Sequence, residues 1–518
     1  MITLYDTTLR DGTQREGMSL SVEDKLRIVT RLDDLGVHFI EGGFPGSNPK
    51  DIEFFERVRG LDLKTAIVSA FGSTRRKDTT CEADPGLAAL LDSGCGAVCI
   101  VGKAWDLQVT EALGATLEEN LAMVAESVAY LNAAGRTVFF DAEHFFDGYA
   151  ANPEYAFRVC AAAAAAGADA VVLCDTNGGT LPHEIQSVVS ELMRLMGAPF
   201  GIHTHNDAGC AVANTLIAVA SGVMHVQGTM NGYGERTGNA DLTAIIPALV
   251  LKMGDDCITS DQLHLLTEVS HFVAETANIS PYPQQPYVGA SAFAHKGGLH
   301  ASATGKLAGA YEHVDPGAVG NLARVVVSEL AGRASISMKA KELGIDLTGD
   351  PALVGDILDT VKELEHEGYT FEAADASLEI LLRKKTGSYS PLFILESFRC
   401  IMEKREDGRV MTEATVKLFV DGRRFVATGE GNGPVNALDS ALRLAIGGFY
   451  PHLEDIVLTD FKVRVLDEKK GTGAVTRVLI NSDDRTESWG TVGVSENIIE
   501  ASWEALVDSI EYGLTRKR

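Results

Sequence analysis

The feature that most constrains this chain is an eightfold alternation of strand-like and helix-like segments across its first half. Short apolar or β-branched runs recur at 2–5, 37–40, 65–70, 96–101, 137–140, 169–173, 199–203 and 224–228. Between them, apolar residues fall at helical spacing. Val22, Leu26, Ile28, Val29, Leu32 and Leu35 mark one broad face, and the stretches 117–131 and 156–166 read as further helices, helped by their alanines. Eight such units within about 250 residues predict an α/β fold, a closed (β/α)8 TIM barrel. A doubly wound open sheet is the alternative, but no G-x-G-x-x-G opens the first helix. With 518 residues, the chain has room for further domains after the barrel.

Polar residues cluster where the predicted strands end: Asp6 to Asp11 after the first, Glu41 after the second, Asp141 to His144 after the fifth, Asp175 to Asn177 after the sixth. His203, Thr204 and His205 follow on the seventh, and Asn231 to Arg236 on the eighth. In a barrel these ends share one mouth, which is where active sites of the fold lie. His203 and His205 are two residues apart on a strand, so both side chains point into the barrel. Asp11 can add a carboxylate from the first strand, and Asn239 an amide oxygen. Two imidazoles, a carboxylate and an amide make a mixed site with open positions, suited to Mg, Mn, Co or Zn rather than to a closed structural zinc. A metal there would act as a Lewis acid on a chelating 2-oxo acid. The plainer readings are a loop ion pair for Arg10–Asp11 and a structural carboxylate for Glu143.

The stretch from Asp6 to Gln14 (DTTLRDGTQ), the HTHND of 203–207 and the GYGERTGN of 232–239 resemble the signatures of the 2-isopropylmalate, homocitrate and citramalate synthases. These form the acyl-CoA-condensing branch of the pyruvate carboxylase-like metallolyases, and the resemblance spans nearly the whole chain. It implies condensation of acetyl-CoA with a 2-oxo acid. It implies that Asp11, His203 and His205 bind the metal with Asn239 beside or on it, and that Arg10 meets the substrate keto oxygen. Glu143 matches the glutamate near the acetyl methyl, Thr176 the threonine that binds the substrate carboxylate, and Gln14 joins the substrate-binding set. His300 and Tyr311 match residues that reach the barrel mouth of a partner subunit, so a homodimer or larger homo-oligomer is expected.

The Gly102 to Asp106 and Glu143 to Tyr149 segments are similar to the citramalate synthase subgroup, although Gln108 stands where that subgroup often has His. Pyruvate is therefore the expected acceptor, and 2-oxoisovalerate, leading toward leucine, is the runner-up. A hydroxy-acyl-CoA lyase would be expected to carry a cysteine in a glycine-rich loop at the mouth, which is missing. A non-catalytic amino-acid sensor is disfavoured by the intact site.

Four segments are expected: the barrel over 1–253, a lid subdomain over 254–325, a helical subdomain over 326–388 and a C-terminal α+β domain over 389–518. Predicted strands at 414–420, 424–429, 460–466 and 475–480 precede glycine-led helices starting near Gly431 and Gly493, about 62 residues apart, which predicts an internal duplication. The resemblance makes this a regulatory domain that binds a branched-chain amino acid, isoleucine for a citramalate synthase; a purely structural dimerisation domain is the alternative.

Charge and cysteine usage exclude other classes. A formal net charge of −27 repels phosphodiester backbones, so nucleic acid is not an expected partner. Arg75, Arg76 and Lys77 form a local basic cluster that reads as solvated surface, with contact to the phosphates of CoA as the alternative. No apolar run is long enough to span a membrane, and the N-terminus lacks a secretory signal pattern. Eight scattered cysteines without C-x-x-C spacing suit reduced thiols in a cytoplasm.

Overall fold

The computed structural model describes residues 1–296, 307, 309, 311–327, 332–347, 349–404, 406, 408–467, 471 and 473–516. The chain divides into two compact units, residues 1–293 with 312–322, and residues 294–311 with 323–518. The stretch 254–325 is thus shared between them.

The first unit is a closed barrel of eight parallel strands: β1 (Thr3–Asp6), β2 (Phe39–Glu41), β3 (Ile67–Ser73), β4 (Ala97–Lys103), β5 (Thr137–Glu143), β6 (Ala170–Asp175), β7 (Phe200–Thr204) and β8 (His225–Gly228). Closure comes from β1 pairing with β8, Asp6 opposite Gly228. The first helix, Val22–Leu35, has the predicted bounds because both ends are written into the sequence. Ser21 accepts from the Asp24 amide, the Asp24 carboxylate accepts back from the Ser21 amide, and Gly36 ends the helix at φ 88°. Its buried Leu26, Ile28, Val29, Leu32 and Leu35 join the shell between helices and strands.

Strand alternation sorts the barrel interior into layers. Leu4, Val98, Ile100, Val138 and Phe140 point outward to the helices, while Tyr5, Phe71, Ala97, Cys99, Phe139 and Ala170 form a separate cluster inside. Tyr5 and Phe139 meet edge to face at 5.4 Å. Moving two residues toward the strand ends keeps each side chain inside: Phe39 gives way to Glu41, Phe139 to Asp141, Gly201 to His203, His225 to Gln227. An apolar floor therefore carries a polar upper layer. Several strands run two or three residues beyond their apolar runs, since these polar positions still belong to the ladder.

In the second unit, β9 (Ala294–His295) pairs with β10 (Arg324–Val325), and helices Arg333–Glu342, Pro351–Glu367 and Asp375–Lys385 follow. Then a pattern occurs twice. β11 (Ile394–Lys404), β12 (Val410–Val420) and β13 (Arg423–Gly431) form an antiparallel sheet followed by helix Pro434–Ile446. β14 (Val457–Val465), β15 (Thr476–Asp483) and β16 (Ser488–Ser495) form another, followed by helix Ile498–Arg516. The anticipated duplication is real, and each half holds one strand more than the sequence suggested. β11 was hidden by its largely exposed, mixed face, and β16 by a run of Ser, Thr and Gly. Gly431 and Gly493 occupy equivalent places: an added Cβ would lie 2.6 Å from the Ala437 nitrogen in one half and 2.1 Å from the Ala501 oxygen in the other. Each lets a helix backbone settle onto its sheet.

No helix among the described residues is long and apolar enough to cross a membrane. The eight cysteines are all free thiols.

Candidate active site

After β1 the chain turns through a short 3-10 segment, Gly12–Gln14, which leaves Arg10 and Asp11 at the barrel mouth. The Arg10 guanidinium is fixed on three sides. Its Nε donates to Glu41 at 2.6 Å, a terminal nitrogen donates to Asp11 at 2.9 Å, and its carbon lies 3.8 Å from the centre of the Phe71 ring. Glu41 is fully buried and accepts also from the Tyr5 hydroxyl at 2.8 Å and from the Thr7 hydroxyl. Burial alone would weaken the Arg10 charge, but Glu41 and Asp11 beside it raise its pKa above the ordinary value. For Asp11, burial is likewise overcome by Arg10, with help from His203 and His205, and its carboxyl is pushed down to about 2.

Asp11, His203 and His205 each present a ligand atom within 4.8 Å of the others. The Nε2 atoms of His203 and His205 face one another at 3.3 Å, and His203 Nε2 is 3.6 Å from an Asp11 oxygen. Burial lowers the pKa of both rings, that of His205 to about 4 with His203 adding to the effect, so neutral imidazoles offer lone pairs at neutral pH. Asn239 is brought alongside by a bridge between its backbone and that of His205, and its amide donates to Asp11 at 3.2 Å. Its side-chain oxygen is buried without a hydrogen-bond partner. A close pair of imidazole nitrogens, an ionised carboxylate and an orphaned amide oxygen are the donors a divalent cation takes. The residues fit such an ion.

The loop carrying Asn239 depends on glycine. Gly238 sits at φ 94°, and a Cβ on it would lie 2.0 Å from the Gly232 oxygen. Arg236 then straps the mouth together, donating to both Asp207 oxygens at 2.8 and 2.9 Å and to the Thr176 carbonyl at 2.8 Å.

A cavity of about 590 Å³ opens over this centre, lined by Arg10, Asp11, Gln14, Glu143, Thr176, His203 and His205 among others. Seven of the ten residues singled out from the sequence thus share one space. Glu143 is not alone there, because the Lys103 ammonium donates to its carboxylate. The Thr176 hydroxyl accepts from the His144 amide at 2.8 Å. Asn239 is buried and bonded to Asp11. Tyr311 belongs to the second unit, is half exposed and lies 6.4 Å from His295, ring to ring. His300 lies outside the described residues. The basic cluster after β3 is only partly surface: Arg75 is buried between Glu119 and Glu126, at 2.7 and 2.6 Å.

Phe71 and Gln227 escaped the sequence reading, and Glu41 was placed at the mouth without a role. Glu41 and Phe71 fix Arg10, and Gln227 bonds His203. Polar residues at alternating places in a strand otherwise expected to be apolar, His225 and Gln227 in β8, were the available signal.

Residues 1–273 match the HMGL-like family, 287–368 the homocitrate synthase post-HMGL domain-like family, and 372–514 the LeuA allosteric (dimerisation) domain. The chain is 56% identical over 515 residues to the (R)-citramalate synthase of Streptomyces coelicolor, covering 99% of this chain and 96% of that protein. The chain belongs to the (R)-citramalate synthase family. It is therefore a condensing acyltransferase. A second member, from Geobacter sulfurreducens, is 52% identical over 99% of this chain and 98% of its own. The 2-isopropylmalate synthase of Methanocaldococcus jannaschii stands further off, 30% identical over 100% and 95%.

Proposed function

We propose that this enzyme condenses acetyl-CoA with pyruvate to give (R)-citramalate and free CoA. The observation that carries this reading is the identity gap between relatives matched over nearly the whole chain: 56% and 52% to two (R)-citramalate synthases against 30% to a 2-isopropylmalate synthase. The barrel mouth has the parts the reaction needs.

A divalent metal (Mg, Mn, Co or Zn) held by Asp11, His203, His205 and Asn239 would supply Lewis-acid polarisation of the keto group. Glu143 takes a proton from the acetyl methyl, and Lys103 beside it steadies the carboxylate that does so. The methyl carbon then bonds to the keto carbon of pyruvate, whose C=O π pair moves onto oxygen. Arg10, already charged and immobilised by Glu41 and Phe71, faces that developing negative charge without having to reorganise. The oxygen takes a proton from His300 or Tyr311, the role the family resemblance offers them, to become the hydroxyl of citramalate, and water cleaves the thioester to release CoA thiol. Thr176 and Gln14 hold the pyruvate carboxylate.

His300 and Tyr311 are assigned by the family resemblance to the partner's site in a homodimer. The match of 372–514 to a dimerisation domain supports that assembly. The same match supports feedback by a branched-chain amino acid, and isoleucine fits an enzyme whose product has its carbon skeleton extended toward that amino acid.

Purified full-length protein, a divalent metal and acetyl-CoA are offered pyruvate, 2-oxoisovalerate or 2-oxoglutarate while CoA thiol is followed. Pyruvate should give the highest kcat/KM, and isoleucine should lower the rate. Thiol release with none of the acids would overturn the condensation, and a preference for 2-oxoisovalerate would overturn the acceptor.

A further inference from the structure

His203 and His205 sit on one strand and face each other, yet they are held unequally. His203 Nδ1 lies 2.9 Å from the side-chain oxygen of Gln227. His205 Nδ1 has no hydrogen-bond partner. An amide oxygen accepts and cannot donate, so His203 must carry its proton on Nδ1. Its Nε2 is then a lone pair facing Asp11 and His205.

That conclusion requires the Gln227 amide to be the right way round, and a second contact supports it. The Gln227 side-chain nitrogen donates to Asp141 Oδ1 at 2.9 Å. Turned over, the amide would set its oxygen against a carboxylate and its NH2 against His203. All three side chains are buried, with Gln227 wholly enclosed. The chain of contacts runs from β5 through β8 to β7, across the barrel interior, so no single loop movement can relax it. A buried glutamine with both ends engaged has a fixed orientation.

We propose that Gln227 is a positioning residue that sets the tautomer and ring orientation of His203 for metal binding, with Asp141 fixing the Gln227 amide. Gln227 touches neither substrate nor metal in this role; it acts through His203. The inference rests on the reading that Asp11, His203 and His205 hold the metal. It gives Asp141, which also lines the reaction cavity, a definite task, and it makes His203 the more rigidly prepared of the two imidazoles.

The test is a titration of metal-stripped full-length protein with Mn²⁺, reading free ion by electron paramagnetic resonance, alongside thermal midpoints of the metal-free proteins. Gln227→Met keeps the volume but cannot orient the imidazole in this way. It should weaken Mn²⁺ binding by about 10–100-fold, the usual loss when a residue supporting a metal ligand is removed. Its metal-free midpoint should stay near that of the wild type, which separates positioning from a general loss of packing. Asp141→Asn retains an accepting oxygen and should bind like the wild type, whereas Asp141→Leu should bind more weakly; if Gln227→Met does not fold, this pair carries the test. His203→Ala serves as the control for the site. Wild-type affinity in Gln227→Met, or equal affinities in Asp141→Leu and the wild type, with His203→Ala impaired, would overturn the positioning role alone. Undiminished Mn²⁺ binding in His203→Ala would overturn the metal reading and the inference with it.

Discussion

Two sets of carboxylates, one in each unit, one buried and the other wholly or partly so, have opposite fates. At the barrel mouth Asp11 and Glu41 lie against Arg10, at 2.9 and 2.6 Å. On the last helix Glu504, Asp508 and Glu511 follow one another at spacings that put them on a single face. Their hydrogen bonds come from neutral donors. The Tyr369 hydroxyl reaches Glu504 at 2.6 Å, the Ser377 hydroxyl reaches Asp508 at 2.7 Å, and Glu511 accepts from the Tyr389 hydroxyl and the Leu392 amide. No cation lies within ion-pair distance of the three among the described residues. Asp11 is pushed down to about 2, because Arg10 outweighs burial. Asp508 is pushed up to about 7 by burial, with Glu504 and Glu511 adding to it and the Ser377 hydrogen bond and Lys384 only partly opposing. The more deeply buried carboxylates thus keep their charge where a guanidinium is bonded, and the less buried row holds a proton readily where no cation is bonded. Arg10 keeps the charge of Asp11 in place at neutral pH, and the helix row has no such partner.

The largest effect should come from breaking the first half of that contrast. Arg10→Lys keeps the positive charge but loses the fork that engages Glu41 and Asp11 together and the flat face that rests on Phe71. We expect kcat to fall on the order of 10²-fold, as when a preorganised donor to a developing oxyanion is lost, with KM for acetyl-CoA little changed. Steady-state thiol release measures both. A loss of thermal stability with kcat preserved would reduce Arg10–Asp11–Glu41 to a structural ion-pair network.

The two sides of the comparison were unequally visible in the sequence. Asp11, His203, His205 and Asn239 could be named because strand periodicity and short motifs place them at the mouth. The partners that set their properties could not. Glu41 was visible only as a polar residue ending a strand, and Gln227 sat inside a run counted as apolar. What makes each matter is a contact across 31 residues to Arg10 or 24 to His203, and such contacts exist only once the barrel is closed. The row Glu504, Asp508 and Glu511 reads in sequence as the solvated face of an amphipathic helix. Packing by helix Asp375–Lys385 and the segment beyond it buries that face, and no local pattern announces which acidic face will be covered. β11 and β16 were missed for the converse reason, since their residues do not alternate cleanly between a wet and a dry side.

Asp508→Asn tests the second half of the contrast with a smaller effect. The folded-state pKa of about 7 lies above the ordinary 3.8, so the folded chain binds this proton more firmly than the unfolded chain does. The associated stability is full below about pH 4 and is lost as pH rises through 7. An amide cannot ionise, so the variant should show no gain over the wild type at pH 4 and should gain on it as pH rises from there, being the more stable by at least about 2 kcal/mol at pH 8. Trp489 and Trp503 both belong to the core of this region, and the chain's remaining tryptophan is Trp105 in the barrel. Urea unfolding followed by tryptophan fluorescence therefore weights the second unit. An equal change at both pH values would show that Asp508 is held ionised throughout.

The smallest change sharpens the comparison most, because it removes a neutral donor and leaves the charge-forming group intact. Tyr369→Phe deletes the hydroxyl that reaches Glu504, while the Val494 amide still donates to the other oxygen at 3.1 Å. Burial already raises the Glu504 pKa, and the Tyr369 hydrogen bond is what chiefly opposes it. Losing that bond must raise the pKa further, so the penalty should fall on the ionised form. We expect a loss of about 1 kcal/mol at pH 8, shrinking as pH falls and Glu504 takes up its proton in both proteins, again read by urea unfolding through the second-unit tryptophans. The pH trend is thus opposite in sign to that of Asp508→Asn: one variant gains on the wild type as pH rises and the other falls behind. A penalty for Tyr369→Phe that did not vary with pH would mean that its hydroxyl serves packing alone, and that the row's protons are governed by burial without help from its hydroxyl partners.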